Sequence, residues 1–247
     1  MSAHATVVFT DGAAKGNPGP GGWGVVILTT DGQVLELGGG AAPTTNNRME
    51  LTGAIQALMH LRDTRGPLAV YTDSTYVING IREWIWGWRK RGWKTASGGD
   101  VVNREQWEQL WNLIVARGKG AIEWHYVRGH SGIPGNERVD EIADGFAVGR
   151  GIDLYSGPVT GYPRRLLDLP ADTSVPTRPA GATTGGKPKA AAYSYLSVVD
   201  GKPMRHATWT ECEARVKGRS GARFKKAVSK ADEAAILRGW HFEPGDV

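Results

Sequence analysis

Thr10-Asp11-Gly12-Ala13-Ala14-Lys15-Gly16-Asn17-Pro18-Gly19-Pro20-Gly21-Gly22-Trp23-Gly24 is the stretch on which the reading of this chain turns. It continues Thr6-Val7-Val8-Phe9-Thr10, a β-branched and aromatic run that reads as a strand ending on a carboxylate. Six glycines and two prolines crowd the thirteen residues after Asp11, so the backbone there must turn tightly and come close to something. Gly19-x-Gly21-x-x-Gly24 matches a dinucleotide-binding turn, but that turn needs a helix next, whose N-terminus holds the pyrophosphate. Val25-Val26-Ile27-Leu28 follows instead, a strand, which excludes the nucleotide reading. The segment reads as a strand–glycine loop–strand hairpin with an acid at the end of its first strand. One aspartate there can simply cap a turn, so the rest of the chain decides.

At 247 residues there is room for one large or two modest domains. A single cysteine, Cys212, excludes an intrachain disulfide and fits a reducing, cytoplasmic setting. Met1 to His4 is short and uncharged, and no apolar run approaches a membrane span, so neither a signal peptide nor a transmembrane helix is expected. The net charge of +5 is uneven: Lys+Arg and Asp+Glu cancel at 15 each in residues 1–150, then stand at 5 against 3 in 151–189 and 10 against 7 in 190–247. All the excess therefore lies beyond residue 150. A basic tail on a neutral body suits a polyanion such as nucleic acid, and equally suits plain solubility.

Beyond the hairpin, Gln33–Leu37 alternates as a third strand running into Gly38-Gly39-Gly40. Thr45 and Asn46 are good caps for a helix striped by Leu51, Ile55, Leu58 and Leu61. Leu68–Thr72 reads as a strand ending on Asp73, and Ser74 as the cap of a helix through Ile85. A helix over 103–116, a strand over 122–127, the glycine-flanked His130 and a last helix over 136–148 complete the pattern, which predicts a mixed sheet with helices packed on it. In 151–168, Leu154, Tyr155, Tyr162, Leu166 and Leu167 are able to pack back on this body. Pro170 to Ala190 has the composition of a linker. The chain divides into a first domain over 1–150, an extension and linker over 151–190, and a small second domain over 191–243.

Two strands thus end alike, at Thr10-Asp11 and Thr72-Asp73. If they are neighbours, both carboxylates emerge at one end of the sheet, with Glu50 near the start of a helix that packs there and Asp140 ten residues after His130. Like charges gathered in one cleft repel unless a cation holds them. Carboxylate ligands alone select Mg²⁺ or Mn²⁺ over Zn²⁺. Asp144, one turn beyond Asp140, is a competing candidate for the fourth acid.

Residues 5–148 resemble ribonuclease H of type 1 in motif content and order. The resemblance rests on Thr10-Asp11-Gly12 with Gly16–Gly22, Thr45-Asn46-Asn47-Arg48-Met49-Glu50, Tyr71-Thr72-Asp73-Ser74, Trp88–Lys94, Val127–Gly132 and Gly135-Asn136-Glu137-Arg138-Val139-Asp140. It implies an α/β fold with a mixed five-stranded sheet flanked by helices. It further implies endonucleolytic cleavage of the RNA strand of RNA–DNA hybrids, leaving 5′-phosphate and 3′-hydroxyl ends. Asp11, Glu50, Asp73 and Asp140 would ligate two Mg²⁺ ions, which Mn²⁺ can replace, and His130 would assist proton transfer or product release. Gly12, Asn17, Asn46 and Glu50 would contact ribose hydroxyls, while Thr45 and Asn103 would grip a DNA phosphate. Thr45 and Asn46 can also be no more than a helix cap. Ile81, Trp84, Ile85 and Trp88 fall at helical spacing and read as core. Arg89, Lys90, Arg91 and Lys94 have no apolar face to serve, and match the basic protrusion that holds DNA backbone in this family.

Residues 193–242 are similar to the small hybrid-binding domain that eukaryotic type 1 enzymes carry at their N-terminus. Thr208-Trp209-Thr210-Glu211-Cys212 and Arg223-Phe224-Lys225-Lys226 carry the match, although Pro203–Ala207 lacks the usual glycine and aromatic residue. Tyr195, Trp209 and Phe224 would face nucleic acid, and Arg223, Lys225 and Lys226 would meet phosphates. A monomer acting on an RNA–DNA hybrid, with no membrane and no disulfide partner, is expected. The rival readings are a structure-specific DNA nuclease of the same fold and a non-catalytic hybrid-binding protein.

Overall fold

The computed structural model describes residues 5–176, 193–219, 221–240 and 242–247. Most of the expected linker, residues 177–190, lies outside them. The chain forms two compact units, Met1–Pro176 and Thr177–Val247.

In the first unit β1 (Thr6–Ala14), β2 (Gly19–Leu28), β3 (Gln33–Thr44), β4 (Leu68–Thr72) and β5 (Ile122–Tyr126) form one mixed sheet. A further strand, β6 (Ser156–Pro158), extends it, giving the order β5-β4-β1-β2-β3-β6. The sheet is therefore six-stranded, not five-stranded. Three residues containing Gly157 and Pro158 carry no strand pattern; pairing of Gly157 with Val34 creates this one.

β1 runs antiparallel to β2 and parallel to β4, and β4 runs parallel to β5. Helices α1 (Asn46–His60), α2 (Thr75–Asn79), α3 (Ile85–Lys90) and α4 (Arg104–Arg117) follow in chain order, with α5 (Pro134–Ala147) after β5. Two cores sit on the two sides of the sheet. Val8, Val25, Ile27 and Val70 join Leu51, Leu58, Val77 and Leu110, while Val7, Phe9, Val26 and Tyr71 join Val139 and Ile142. Strands covered on both faces read as continuous apolar runs, which explains Thr6–Phe9. Tyr162 and Leu166 are buried in the second of these cores, so residues after 150 do pack back on the body.

The hairpin differs from the sequence reading. Both strands run on through the glycines, with Asp11 paired to Gly24 and Ala14 to Gly21, and only residues 15–18 turn. A Cβ on Gly22 would lie 2.3 Å from the Ala143 carbonyl oxygen of α5, and one on Gly24 would lie 2.5 Å from that of Val139. These glycines let α5 lie directly on β2, so their close approach is to a helix of the protein itself. The helical run after Ser74 contains one wide turn, Gly80–Trp84, between α2 and α3. It forms where Gly80 meets the Trp107 ring, which a Cβ would approach to 2.0 Å.

In the second unit β7 (Ser194–Val199), β8 (Lys202–His206) and β9 (Arg223–Ala227) form an antiparallel sheet in the order β8-β7-β9. Helices α6 (Trp209–Val216) and α7 (Lys230–Gly239) complete it. Leu196, Ala227, Ile236 and Leu237 are its core.

Candidate active site

The parallel register between β1 and β4 builds the site. Phe9 is level with Tyr71, so Asp11 and Asp73, each two residues farther on, emerge side by side where β4 ends. Glu50 comes from the first turns of α1, whose backbone touches β1: a Cβ on Gly12 would lie 2.1 Å from the Glu50 nitrogen. Asp140 comes from α5. His130 is held in the left-handed region, φ 52°, on the loop before α5, with Nδ1 3.8 Å from Asp140 Oδ2. Gly129 of that loop lies so near Asp73 that a Cβ there would be 2.9 Å from its Oδ2. The five residues singled out from sequence therefore meet.

Neutral donors hold the acids apart. Gly12 N donates to Asp11 Oδ1 at 2.7 Å, Asn46 Nδ2 to Glu50 Oε1 at 2.9 Å, and Ser74 Oγ to Glu50 Oε2 at 2.6 Å. The Asn136 amide donates to Asp73. Burial, then Asp73, Asp140 and Glu50, push the Asp11 carboxyl well above its usual range despite the Gly12 bond. Burial also raises Glu50, to about 7, with Asp73 adding to it and the Ser74 and Asn46 bonds opposing. Asp73 is raised by burial and by Asp140, against the bond from Asn136 and the imidazole of His130.

The contrast with Glu36 is instructive. That side chain is also closed to solvent, yet bonds from Arg138, Tyr162 and the Tyr155 amide outweigh its desolvation and hold its carboxyl below the ordinary range. Among the described residues no lysine or arginine pairs with Asp11, Glu50, Asp73 or Asp140. Nor, among those residues, do three His, Cys, Asp or Glu side chains converge on one point as an ion cage. What is gathered is a wall of hard oxygen donors with uncompensated charge, which fits oxygen-preferring divalent cations and does not suit zinc. Asp144, the competing acid, pairs with Lys15 and lies 3.9 Å from Arg150, so it is committed elsewhere.

Comparison with known proteins identifies the family of the domain that holds these residues. The family model described as RNase H matches residues 3–147. A ribonuclease H of Cyanothece sp. is 52% identical over 155 residues, covering 62% of this chain and 96% of that one. One of Paracidovorax citrulli is 54% identical over 156 residues, covering 62% and 98%. The chain belongs to the ribonuclease H family. The crystal structure of LC9-RNase H1, a type 1 RNase H with the type 2 active-site motif, superposes with a TM-score of 0.54 at 28% identity, over 67% of this chain and 83% of that one. The first unit is thus a ribonuclease H enzyme domain.

Sequence reasoning missed how the carboxylates of this ribonuclease H domain are supported. Ser74 was legible only as a cap, which it is, accepting from Val77 N at 3.1 Å while donating to Glu50. Asn136 had a signal, standing one turn before Asp140 in the same motif. Of the candidate substrate contacts, Thr45 caps α1 by accepting from Arg48 N, and Asn46 is engaged with Glu50. Asn17 is exposed on the turn of the hairpin. Asn103 stands in the left-handed region at the start of α4, which touches the start of α1 through Gln106 Nε2 donating to the Arg48 carbonyl. Thr45 and Asn103 thus head two adjoining helices.

The basic segment needs correcting in part. Arg89 does have an apolar face to serve, lying over the Trp111 ring at 4.2 Å, and Lys94 Nζ donates to Asp100 at 2.6 Å. Arg91 Nε donates to the Lys94 carbonyl, and Lys90 is exposed. In the second unit Trp209 lies 5.8 Å from Tyr195 and 5.4 Å from Phe224, a row of rings with Phe224 52% exposed. Tyr195 pairs with Lys226 and Ser197 with Phe224, so Lys226 shares the aromatic face. Arg223 and Lys225 point to the opposite face, where Arg223 lies 5.7 Å over Trp240. Strand alternation thus puts Lys226 on the aromatic face and Arg223 and Lys225 on the other.

Proposed function

We propose that this enzyme hydrolyses the RNA strand of RNA–DNA hybrids with two Mg²⁺ ions held by Asp11, Glu50, Asp73 and Asp140, leaving 5′-phosphate and 3′-hydroxyl ends. The observation that carries the reading is a buried, mutually repelling carboxylate set on a ribonuclease H domain, with no lysine or arginine paired to it among the described residues. Such ions, when bound, supply an activated water and charge neutralisation for in-line phosphodiester cleavage. The chain's own part is positional. Ser74 and Asn46 aim Glu50, Asn136 aims Asp73, and the Gly12 amide aims Asp11. His130, exposed and beside Asp140, carries protons or helps product leave.

Hybrid selection falls to the hairpin turn and the adjoining starts of α1 and α4. Asn17, Asn46 and the Gly12 backbone read ribose 2′-hydroxyls, and Thr45 with Asn103 takes a DNA phosphate. Lys90 and Arg91 hold DNA backbone. The second unit binds hybrid through Tyr195, Trp209, Phe224 and Lys226, with rings stacking and the cation meeting phosphate. The decisive experiment presents hybrid, duplex RNA and duplex DNA with Mg²⁺ and identifies the product ends. Cleavage confined to the RNA strand of the hybrid, with 5′-phosphates, is expected; equal cleavage of duplex DNA rejects the reading.

A further inference from the structure

Helix α5 carries two groups of the site, Asn136 and Asp140. Gly22 and Gly24 bring its backbone directly onto β2, and Val139 and Ile142 pack into the core beneath it. Midway between Asn136 and Asp140 stands Arg138, turned to the other side. Its Nε donates to Glu36 Oε1 and its Nη2 to Glu36 Oε2, both at 2.8 Å, a two-pronged contact with a carboxylate only 1% exposed in the middle of β3.

Residues after the family match close over this pair. Tyr162 donates its hydroxyl to Glu36 Oε1 at 2.6 Å, Tyr155 N donates to Oε2 at 3.0 Å, and Arg138 Nη2 also donates to the Asp153 carbonyl at 2.8 Å. Both carboxylate oxygens are thereby doubly engaged. A buried ion pair is a poor way to gain stability alone, because desolvating both charges offsets most of their attraction. Its directionality is what a hydrophobic pair lacks: a planar fork matches a carboxylate in one orientation.

We propose that the Glu36–Arg138 pair, closed over by residues 153–162, is a positioning device that sets the register of α5, so that Asn136 and Asp140 reach the carboxylate cluster and the extension governs how tightly divalent ions are held. The inference rests on the metal reading given above. Arg138 and Tyr162 act through the helix and touch no substrate; they are positioning residues. Displacing a ligand's support costs about 10–100-fold in metal affinity or activity, and the helix transmits any shift of Arg138 to residues two positions away on either side.

The test uses the full chain with Arg138→Lys, which keeps the charge and loses the fork, and Tyr162→Phe, which removes one hydroxyl. Leu110→Val, in the core across the sheet, is the control for loosened packing. Mg²⁺ is titrated calorimetrically into metal-free protein without nucleic acid, and the half-saturating Mg²⁺ for hybrid cleavage is measured alongside. The Mg²⁺ dissociation constant should rise about tenfold in Arg138→Lys and about threefold in Tyr162→Phe, with the half-saturating concentration following. KM for hybrid at saturating Mg²⁺ should stay within about twofold, and Leu110→Val should bind Mg²⁺ as the wild type does. Unchanged Mg²⁺ affinity in both clamp variants, or an equal loss in Leu110→Val, would show a mere strut and overturn the proposal. A wild-type protein that takes up no Mg²⁺ would overturn the metal reading, and this inference with it.

Discussion

At the scale of single residues, the site stores repulsion. Asp11, Glu50 and Asp73 all have carboxyls raised above their usual values, chiefly by burial and then by neighbouring carboxylates, Asp140 among them. A raised carboxyl means the charged form is less favourable folded than unfolded, so these groups subtract stability as pH rises through the ordinary carboxylate range. Removing one charge without changing shape should therefore stabilise the metal-free protein. Asp11→Asn is expected to raise Tm in chelator at pH 7 by about 2–4 °C, equivalent to about 1 kcal/mol in a chain of this size. Mg²⁺ should stabilise the wild type and not this variant, as ligand linkage requires. A lower Tm for Asp11→Asn in chelator would show that the acids are not held against their own repulsion.

At the scale of elements, the sheet register and the glycine seat decide where chemistry sits. Gly24→Ala puts a Cβ within 2.5 Å of the Val139 carbonyl, a backbone atom that can yield only if α5 moves. Overpacking of this kind costs about 1–3 kcal/mol. The variant should unfold at lower denaturant and cleave hybrid more slowly, and full activity with full stability would contradict the role given to the seat. Much at this scale was legible in the sequence, because the signals were local. The Thr45 and Ser74 caps, the strand Leu68–Thr72 and the paired Asp11 and Asp73 each announce themselves within a few residues. What was not legible depends on distant partners. Gly22 and Gly24 look like loop residues until α5 is placed on them, and β6 exists only because Val34 offers it an edge. Gly80 widens a helix because Trp107, far along the chain, lies beneath it. Glu36 gave no sign, since a charged residue in an alternating strand reads as facing solvent, and Arg138 stood only as part of the motif ending at Asp140.

At the scale of the whole molecule, the ribonuclease H domain lies in one unit and the proposed hybrid-binding face in the other. The excess positive charge lies beyond residue 150, with ten basic against seven acidic residues in 190–247. Protein comprising residues 1–176 should keep the cleavage rate at saturating hybrid, bind hybrid more weakly, and show a shallower dependence of log affinity on log salt, because fewer phosphates are neutralised. Phe224→Ala in the full chain should weaken hybrid binding by about 1–3 kcal/mol, the value of one stacked base, in a filter-binding or anisotropy titration. Unchanged affinity in both would remove the second unit from substrate binding. The metal role proposed for the four carboxylates is checked by the rate at which Asp73→Asn cleaves the RNA strand of a hybrid in Mg²⁺. A folded protein that still binds hybrid and cleaves it more than about 100-fold more slowly, beyond the loss typical of a supporting group, is expected; cleavage at the wild-type rate would remove Asp73 from metal binding.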